Sequence, residues 1–424
     1  MKNIFTKSLC LGLGAFILAV FARDLSLHQA IDLAMQNNNA LTLQKHQQQL
    51  YILNEKQQFG QFLPTMSAGA SLGRTYQLHD WSHNERKSAS LSVNEKLDLS
   101  LWPSLSAAEA NTREAKLRFK RFQESLSLTV AQTFLQCLGA QEKLNLAQVK
   151  LAHQRAVLAQ IEFQQQSGAK TLSEVYQQES TVAQSVADSV QIANDLSDLL
   201  QNLVDLINSD SLEIEALKLL PIDISLNPEP PGEFNLQQSA EYLAQQEKIQ
   251  GAQHSLQAAR WNYFPTVSLG ATLAHDFNMV RERRNTLAWT ASLSVPILDG
   301  RTRHIRVARS KVNLQSAQIE LNQQEQDLSS QQKSAVRRWQ NAQNKLEALS
   351  RASAVAERSS QELEVRYQLG AATQLEMQQA QTLWQNAEIA RIDANLSALN
   401  AYLNAMDAMG QLETALEQLT GASL

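Results

Sequence analysis

The sequence has few cysteines, no basic stripe and, beyond its first residues, no long apolar run. No stretch after residue 22 approaches the roughly 20 apolar residues of a membrane-spanning helix. The formal net charge of −5, without clustered Lys and Arg, argues against a nucleic-acid partner. The sequence contains no recognisable set of a nucleophile, a base and an orienting group. We therefore predict that the protein is not an enzyme and binds no cofactor or metal.

The first residues have the pattern of a secretory signal peptide. Lys2 and Lys7 precede an apolar stretch over 9–21 that ends at the small residue Ala22, after which we predict cleavage. Of the two cysteines, Cys10 opens this apolar stretch and cannot become the first mature residue, so we expect no lipid anchor. Cys137 then has no partner for an intrachain disulfide.

One segment occurs twice in the chain. Residues 64–73 read Pro-Thr-Met-Ser-Ala-Gly-Ala-Ser-Leu-Gly, and residues 265–274 read Pro-Thr-Val-Ser-Leu-Gly-Ala-Thr-Leu-Ala. The offset, 265 − 64 = 201, is about half the chain and indicates an internal duplication. Apolar residues alternate with small polar ones, which is typical of a strand between lipid and a water-filled lumen. Return strands complete predicted hairpins at 64–98 and 265–298, with polar tips at 79–87 and 281–284.

Helical composition fills the rest of both repeats. Ala, Leu, Gln and Glu with almost no Pro or Gly predict helices over 25–62, 103–166, 236–263 and 302–369. Gly168 and Gly370 each end a long helix, and a capping box restarts a helix at Thr171 and Thr373. These returning helices run to about 208 and 419. We therefore predict a first repeat over 23–208, a Pro-rich linker over 209–235 and a second repeat over 236–424.

Four strands of about ten residues can cross a membrane but cannot close on themselves. An open sheet in lipid leaves backbone groups unpaired, so other copies of the chain must complete the barrel. The long helices of those copies can lie side by side and extend the barrel as a cylinder. The predicted fold is therefore a mixed α and β membrane protein, a β-barrel continued by a coiled-coil tunnel.

Several segments resemble the TolC family of outer membrane efflux proteins. They are Phe-Leu-Pro-Thr at 62–65, Tyr-Phe-Pro-Thr at 263–266, Val-Pro-Ile-Leu-Asp-Gly at 295–300 and Tyr-Gln-Leu-Gly at 367–370, within the duplicated order of elements. The resemblance implies a homotrimer with a twelve-stranded barrel in the outer membrane, in contact with its lipid, and a helical tunnel in the periplasm. It further implies docking to a periplasmic adaptor protein and an inner-membrane pump of the resistance-nodulation-division or ABC type, in efflux or type I secretion.

The same resemblance implies a gate at the periplasmic helix tips. Glu376 occupies the position of a family carboxylate at the entrance constriction, whereas Gln379 replaces the next one. Glu174 and Tyr367 match positions that tie inner to outer helices in the closed state, and Ala372 replaces the family's arginine. Adaptor contact is implied for the tip residues Gly168, Ala169, Gly370 and Ala371.

Other interpretations of these residues stay open. Glu174 and Glu376 each lie three residues after a Thr, so both are also explained as helix-capping partners. Trp81, Trp289 and Tyr76 suit either interfacial aromatic belts or loop packing. The Gly69-to-Gly73 segment matches a nucleophile motif, but it lies within a strand, and His79 with His83 lies in a polar tip. A secreted or periplasmic coiled-coil scaffold is the alternative function, although it leaves the four alternating segments unexplained.

Overall fold

A computed structural model describes residues 23–76, 83–208, 217–220, 236–277 and 284–420. The predicted signal peptide, most of the predicted linker, and the hairpin-tip residues 77–82 and 278–283 lie outside the described residues, and with them His79 and Trp81. Within the described part, no helix is both long enough and apolar enough to cross a membrane.

The described chain consists mainly of helices, with two small sheets. The helices are α1 Leu27–Asn37, α2 Asn39–Gly60, α3 Leu101–Gln166, α4 Leu172–Ile207, α5 Ala240–Trp261, α6 Thr302–Gln368, α7 Gln374–Ala408 and α8 Leu412–Thr420. The strands are β1 Arg23–Leu25, β2 Thr65–Tyr76, β3 His83–Leu97, β4 Leu217–Leu219, β5 Thr266–Asp276 and β6 Arg284–Ser294.

The larger sheet is antiparallel, with strand order β2-β3-β5-β6. Its register aligns apolar residues in rows, since Met66 pairs with Val93, Val93 with Ala271, and Ala271 with Trp289. Residues directly opposite in a sheet share a face, so one face is apolar. The other face carries hydroxyls that bond across strands, with 2.8 Å between the Oγ atoms of Ser67 and Ser92. The alternation predicted from sequence is confirmed.

The helices form a layer in which α3 is internal and α6 lies at an edge. Near the sheet α3 packs between α2 and α5, and towards its other end it packs between α4 and α7; α6 packs mainly on α5 and α7. Burial follows this order: 19 of the 66 residues of α3 are buried, but only six of the 67 residues of α6. One side of α6 therefore has no covering element among the described residues.

Both edges of this layer expose apolar residues at heptad spacing. On α6 these are Ile305, Val312 and Ile319, at 55, 58 and 66% exposure. On α2 they are Leu43 and Leu50, at 58 and 65% exposure. A seven-residue repeat of apolar residues on one face of a helix is the pattern that packs against another helix.

An ion-pair cluster far from the tips joins α3, α5 and α7, and a hydrogen bond adds α6. Arg121 of α3 donates two hydrogen bonds to the carboxylate of Asp407 on α7, at 2.5 and 2.9 Å, and one to Glu241 on α5 at 3.0 Å. Gln324 of α6 donates to the other oxygen of Glu241 at 2.9 Å. The hydrogen bonds from Arg121 to Asp407 raise the pKa of the guanidinium above its usual value. Elements from both halves of the chain thus converge on Arg121.

Several predicted boundaries differ from the structure, among them the following four. The first helix is interrupted at Asn38, whose side chain caps α2 through the Leu41 N–H at 3.0 Å and donates to the Leu206 carbonyl at 2.8 Å. The last helix is broken at Gly410, where φ is 72°. β3 already begins at residue 83, inside the predicted polar tip, where Arg74 and Glu85 form a cross-strand ion pair. β6 ends at residue 294, before Pro296, which has no N–H for the ladder.

The sequence also failed to indicate the small parallel sheet formed by β1 and β4. Residues 23–25, partly assigned to the first helix, pair with 217–219 of the predicted linker. Leu25 and Leu219 are buried there in the main core, which is built by α1, the middle of α3 and the ends of α4, α7 and α8. The pairing therefore fastens part of the linker segment to the core.

Candidate functional site at the helical tips

Each long helix ends in a glycine turn. Gly168 and Gly370 have φ values of 77° and 73°, in the left-handed region that favours glycine. The next residue closes each turn, as the Ala169 N–H donates to the Gln164 carbonyl at 2.8 Å and the Ala371 N–H to the Arg366 carbonyl at 2.7 Å. All four predicted tip residues are exposed. The two turns are therefore equivalent loops that project their backbone to the surface.

Glu174 and Glu376 both complete capping boxes. Glu174 accepts from the Thr171 N–H at 2.8 Å, and Glu376 accepts from the Thr373 N–H at 2.8 Å. The hydroxyl of each threonine in turn accepts from the glutamate's own N–H at 3.3 Å. The structure thus accounts for both carboxylates as helix caps. Glu376 is exposed, whereas Glu174 is half-buried.

Hydrogen bonding keeps both capping carboxylates ionised. The Lys170 ammonium, then the Thr171 backbone, lowers the pKa of Glu174 to about 2. The backbone and hydroxyl of Thr373 lower the pKa of Glu376 below its usual value. Both side chains are therefore negative at neutral pH, and Glu376 presents its charge to solvent.

Tyr367 lies between the two turns without a hydrogen bond. Its hydroxyl is buried and has no partner among the described residues. The Lys170 ammonium lies 5.9 Å from the ring centroid, so a cation-π contact links the α3–α4 turn to α6. Glu174 bonds to Lys170 and Thr171 rather than reaching Tyr367 directly. Gln379 is exposed on the first turns of α7.

Sequence reasoning missed two layers of contacts above the turns. The first is an apolar cluster of Val157, Ile161, Val175 and Met377, with Tyr367 packed against it. The second is a set of glutamines centred on Gln178, which is fully buried. Its amide donates to the Gln154 carbonyl and side chain at 3.1 and 2.7 Å, and accepts from Gln374 and Gln378 at 3.3 and 3.0 Å. In the sequence, the one available signal of this set was the pair Gln374 and Gln378, four residues apart on α7.

The architecture is that of an outer membrane channel of the TolC type, with a four-stranded antiparallel sheet continued by two long helical hairpins. The family described as outer membrane efflux protein matches residues 30–209 and 235–411. The chain belongs to the outer membrane efflux protein family.

Individual relatives and structures agree with this assignment. The chain is 26% identical to the pyoverdine export outer membrane protein OpmQ of Pseudomonas aeruginosa, over 76% of this chain and 69% of that protein. It is 34% identical to OpmQ of Pseudomonas putida, over 24% of this chain and 23% of that protein, so this second match spans about a quarter of the relative. The open-state MtrE outer membrane channel of Neisseria gonorrhoeae has the same fold, with a TM-score of 0.81 at 20% identity over 93% of both chains.

Proposed function

We propose that the protein is the outer membrane duct of a tripartite efflux or type I secretion system. It would pass substrates unchanged from an inner-membrane pump of the resistance-nodulation-division or ABC type, through a periplasmic adaptor, to the exterior. The observation that carries this proposal is the sheet with one apolar and one hydroxyl-bearing face, joined directly to helices of 66 and 67 residues. At about 1.5 Å per residue those helices span roughly 100 Å, enough to reach deep into the periplasm.

A ring of copies follows from the two open edges. In the order β2-β3-β5-β6, strands β2 and β6 each have an unpaired side, and an unpaired backbone group in hydrocarbon costs several kcal/mol. The apolar stripes of α2 and α6 lie on the same two edges as those strands. We therefore propose that α6 and β6 of one copy join α2 and β2 of the next. Three copies, as in the resembling family, would give a twelve-stranded barrel.

The proposed location follows from the two parts of the molecule. The apolar face of the sheet would contact outer membrane lipid, and the helical hairpins would form the tunnel in the periplasm. The exposed turn residues Gly168, Ala169, Gly370 and Ala371 would meet the adaptor, because they are the part of each hairpin furthest from the sheet.

We propose that Glu376 also contributes to a gate, together with Gln379, Glu174 and Tyr367. Three exposed, ionised Glu376 side chains around a threefold axis would attract cations and repel anions. Glu376→Gln should reduce the cation preference of the pore and leave the trimer intact, because glutamine retains the size and capping ability of glutamate. Reversal potentials in bilayers with a salt gradient measure this preference. Glu347→Gln, which removes the same charge from an exposed position of α6 away from the tips, is the control. An unaltered reversal potential in Glu376→Gln would limit Glu376 to helix capping.

The duct itself is tested by purifying the protein in detergent and recording from planar bilayers. We expect extraction from the outer membrane fraction only with detergent, a trimeric mass, and a small, steady conductance. Weakening tip contacts, for example by Lys170→Met, should raise that conductance, because the link between the α3–α4 turn and Tyr367 is lost. A species that is soluble without detergent and never conducts would instead favour a coiled-coil scaffold.

A further inference from the structure

The glutamines near the tips form one continuous chain of hydrogen bonds across three helices. Gln374 and Gln378 of α7 donate to Gln178 of α4, and Gln178 donates to Gln154 of α3. Gln154 then donates to Gln381 of α7 at 3.4 Å, and the Gln381 amide donates to Nε2 of His153 at 2.5 Å. We call this set the glutamine relay. It joins the α3–α4 hairpin to the α6–α7 hairpin.

The relay is buried and has one orientation. Gln154 and Gln381 are each 5% exposed, and Gln178 is fully buried. A primary amide has two N–H donors and one oxygen with two acceptor positions, and Gln178 uses all four. No amide of the relay can turn over without placing a donor against a donor or an acceptor against an acceptor. The Gln154 backbone carbonyl can only accept, which fixes Gln178, and Gln178 in turn fixes Gln154 and Gln381, so that an N–H of Gln381 meets the group at the end of the chain.

His153 is that end group, and it accepts a hydrogen bond. An imidazole nitrogen accepts only when it carries no proton, so the relay requires neutral His153 with its proton on Nδ1. A protonated ring has two donors and would oppose the Gln381 amide. Turning Gln381 to offer its oxygen moves the conflict to Gln154, and turning Gln154 moves it to Gln178, which cannot turn because its amide also donates to the Gln154 backbone carbonyl. Protonation of His153 therefore costs the relay one hydrogen bond, and the bonds at risk include those that attach α7 to α3 through Gln381.

The surroundings of His153 offer its protonated form another position. The ring lines a cavity of about 250 Å³ between α3, α6 and α7. Glu357 and Glu364 of α6 line the same cavity, as does Lys150 of α3, which pairs with Asp188 of α4 at 3.5 Å. The residues of α7 that line the cavity are uncharged, namely Gln381, Trp384 and Gln385. Two carboxylates therefore face an imidazolium, while the one lysine is already paired.

We infer that the glutamine relay makes the packing of the two hairpins at the tips sensitive to acid: proton uptake by His153 draws its ring towards Glu357 and Glu364 and weakens the attachment of α7 to α3 through Gln381. This inference rests on the proposed duct, whose gate it regulates. Histidine ordinarily changes charge between about pH 5 and 8. The packed arrangement of the tips is favoured when His153 is neutral and weakened when it is protonated, because only neutral His153 completes the relay.

The test measures tip separation and current in the same full-length protein. Spin labels at Ala169→Cys and Ala371→Cys, with labelled chains diluted into unlabelled ones, report the distance between hairpins. Burial raises the pKa of the Cys137 thiol to about 12, so that residue does not compete for the label. Between pH 7.5 and 5.5 we expect about a five-fold rise in the ratio of separated to closed tips, which is what the loss of one hydrogen bond of about 1 kcal/mol gives.

His153→Gln should abolish this response, because glutamine accepts from Gln381 but gains no proton. His254→Gln, on α5, is the matched control and should respond like the parent. Gln178→Leu should separate the tips at both pH values. An equal acid response in His153→Gln, or none in the parent, would overturn the inference. If the tips separate in acid but no current is seen at any pH, the inference about the relay is supported and the proposed duct is contradicted. If current is seen but the tips do not separate in acid, the duct is supported and the inference about the relay is contradicted.

Discussion

Val312→Asp should abolish assembly. Val312 is 58% exposed at the centre of the heptad stripe on α6, and in the proposed ring it lies against the α2 edge of the next copy. Burying an unpaired carboxylate there costs at least about 3 kcal/mol per interface, more than a hundred-fold in the association constant. The same charge would lie in every interface between neighbouring copies, which we call the seam of the ring. Light scattering after size-exclusion chromatography in detergent should therefore give the mass of one chain.

The matched control is Gln318→Asp. Gln318 is exposed on the same helix but lies about 100° around the axis from Ile319, away from the stripe. This substitution adds the same charge without placing it in the seam, so the oligomer should persist. If Val312→Asp also remains oligomeric, the copies do not meet along α6. A monomer that keeps its helical circular dichroism would show that the defect lies in assembly and not in folding.

Arg121→Met should strongly destabilise the fold without touching the proposed interface between copies. It removes the partner of Asp407, whose side chain is 13% exposed, and one partner of Glu241. Stranding a fully buried charge costs about 3 to 5 kcal/mol, and because Arg121 itself is 30% exposed we expect about 2 to 3 kcal/mol. Helical circular dichroism during urea unfolding, at fixed protein concentration, measures the change.

Arg351→Met provides the comparison for a charge pair of the same type. Arg351 pairs with Glu347 one turn away on α6, and both side chains are mostly exposed, at 77 and 63%. Such pairs contribute about 0.5 kcal/mol or less. Similar losses in the two variants would mean that Arg121 does not join the helices energetically. Retention of most stability by Arg121→Lys would show that charge matters there more than the bidentate geometry.

The strands of the larger sheet and the two helical turns could be predicted from patterns of neighbouring residues. Two-residue alternation located β2, β3, β5 and β6, and Gly168 with Gly370 located the turns, because φ there requires glycine. The capping boxes at Thr171 and Thr373 are contained within four residues each. Each of these signals depends only on residues that are close in sequence, so one amino-acid sequence is enough to identify it.

The missed features depend on distant partners. β1 and β4 have three residues each and pair across a separation of 194 residues, 217 − 23 = 194, so neither has a periodic signal of its own. Asn38 interrupts a helix because it reaches Leu206, which no local rule anticipates. The glutamine relay has the same origin, since glutamine is a good helix former and its burial follows only from the packing of α3, α4 and α7.

Helices α3 and α6 have nearly equal lengths, and these lengths determine where the two hairpins end. They have 66 and 67 residues, and one residue of helix is about 1.5 Å, so the two hairpins end at nearly the same level. A seven-residue deletion in only one of them would place its turn about 10 Å out of plane. It would also shift Gln154 or Tyr367 away from its neighbours on the other hairpin. We therefore expect insertions or deletions in these helices to be tolerated best when both halves change together, which couples the two repeats to a common length.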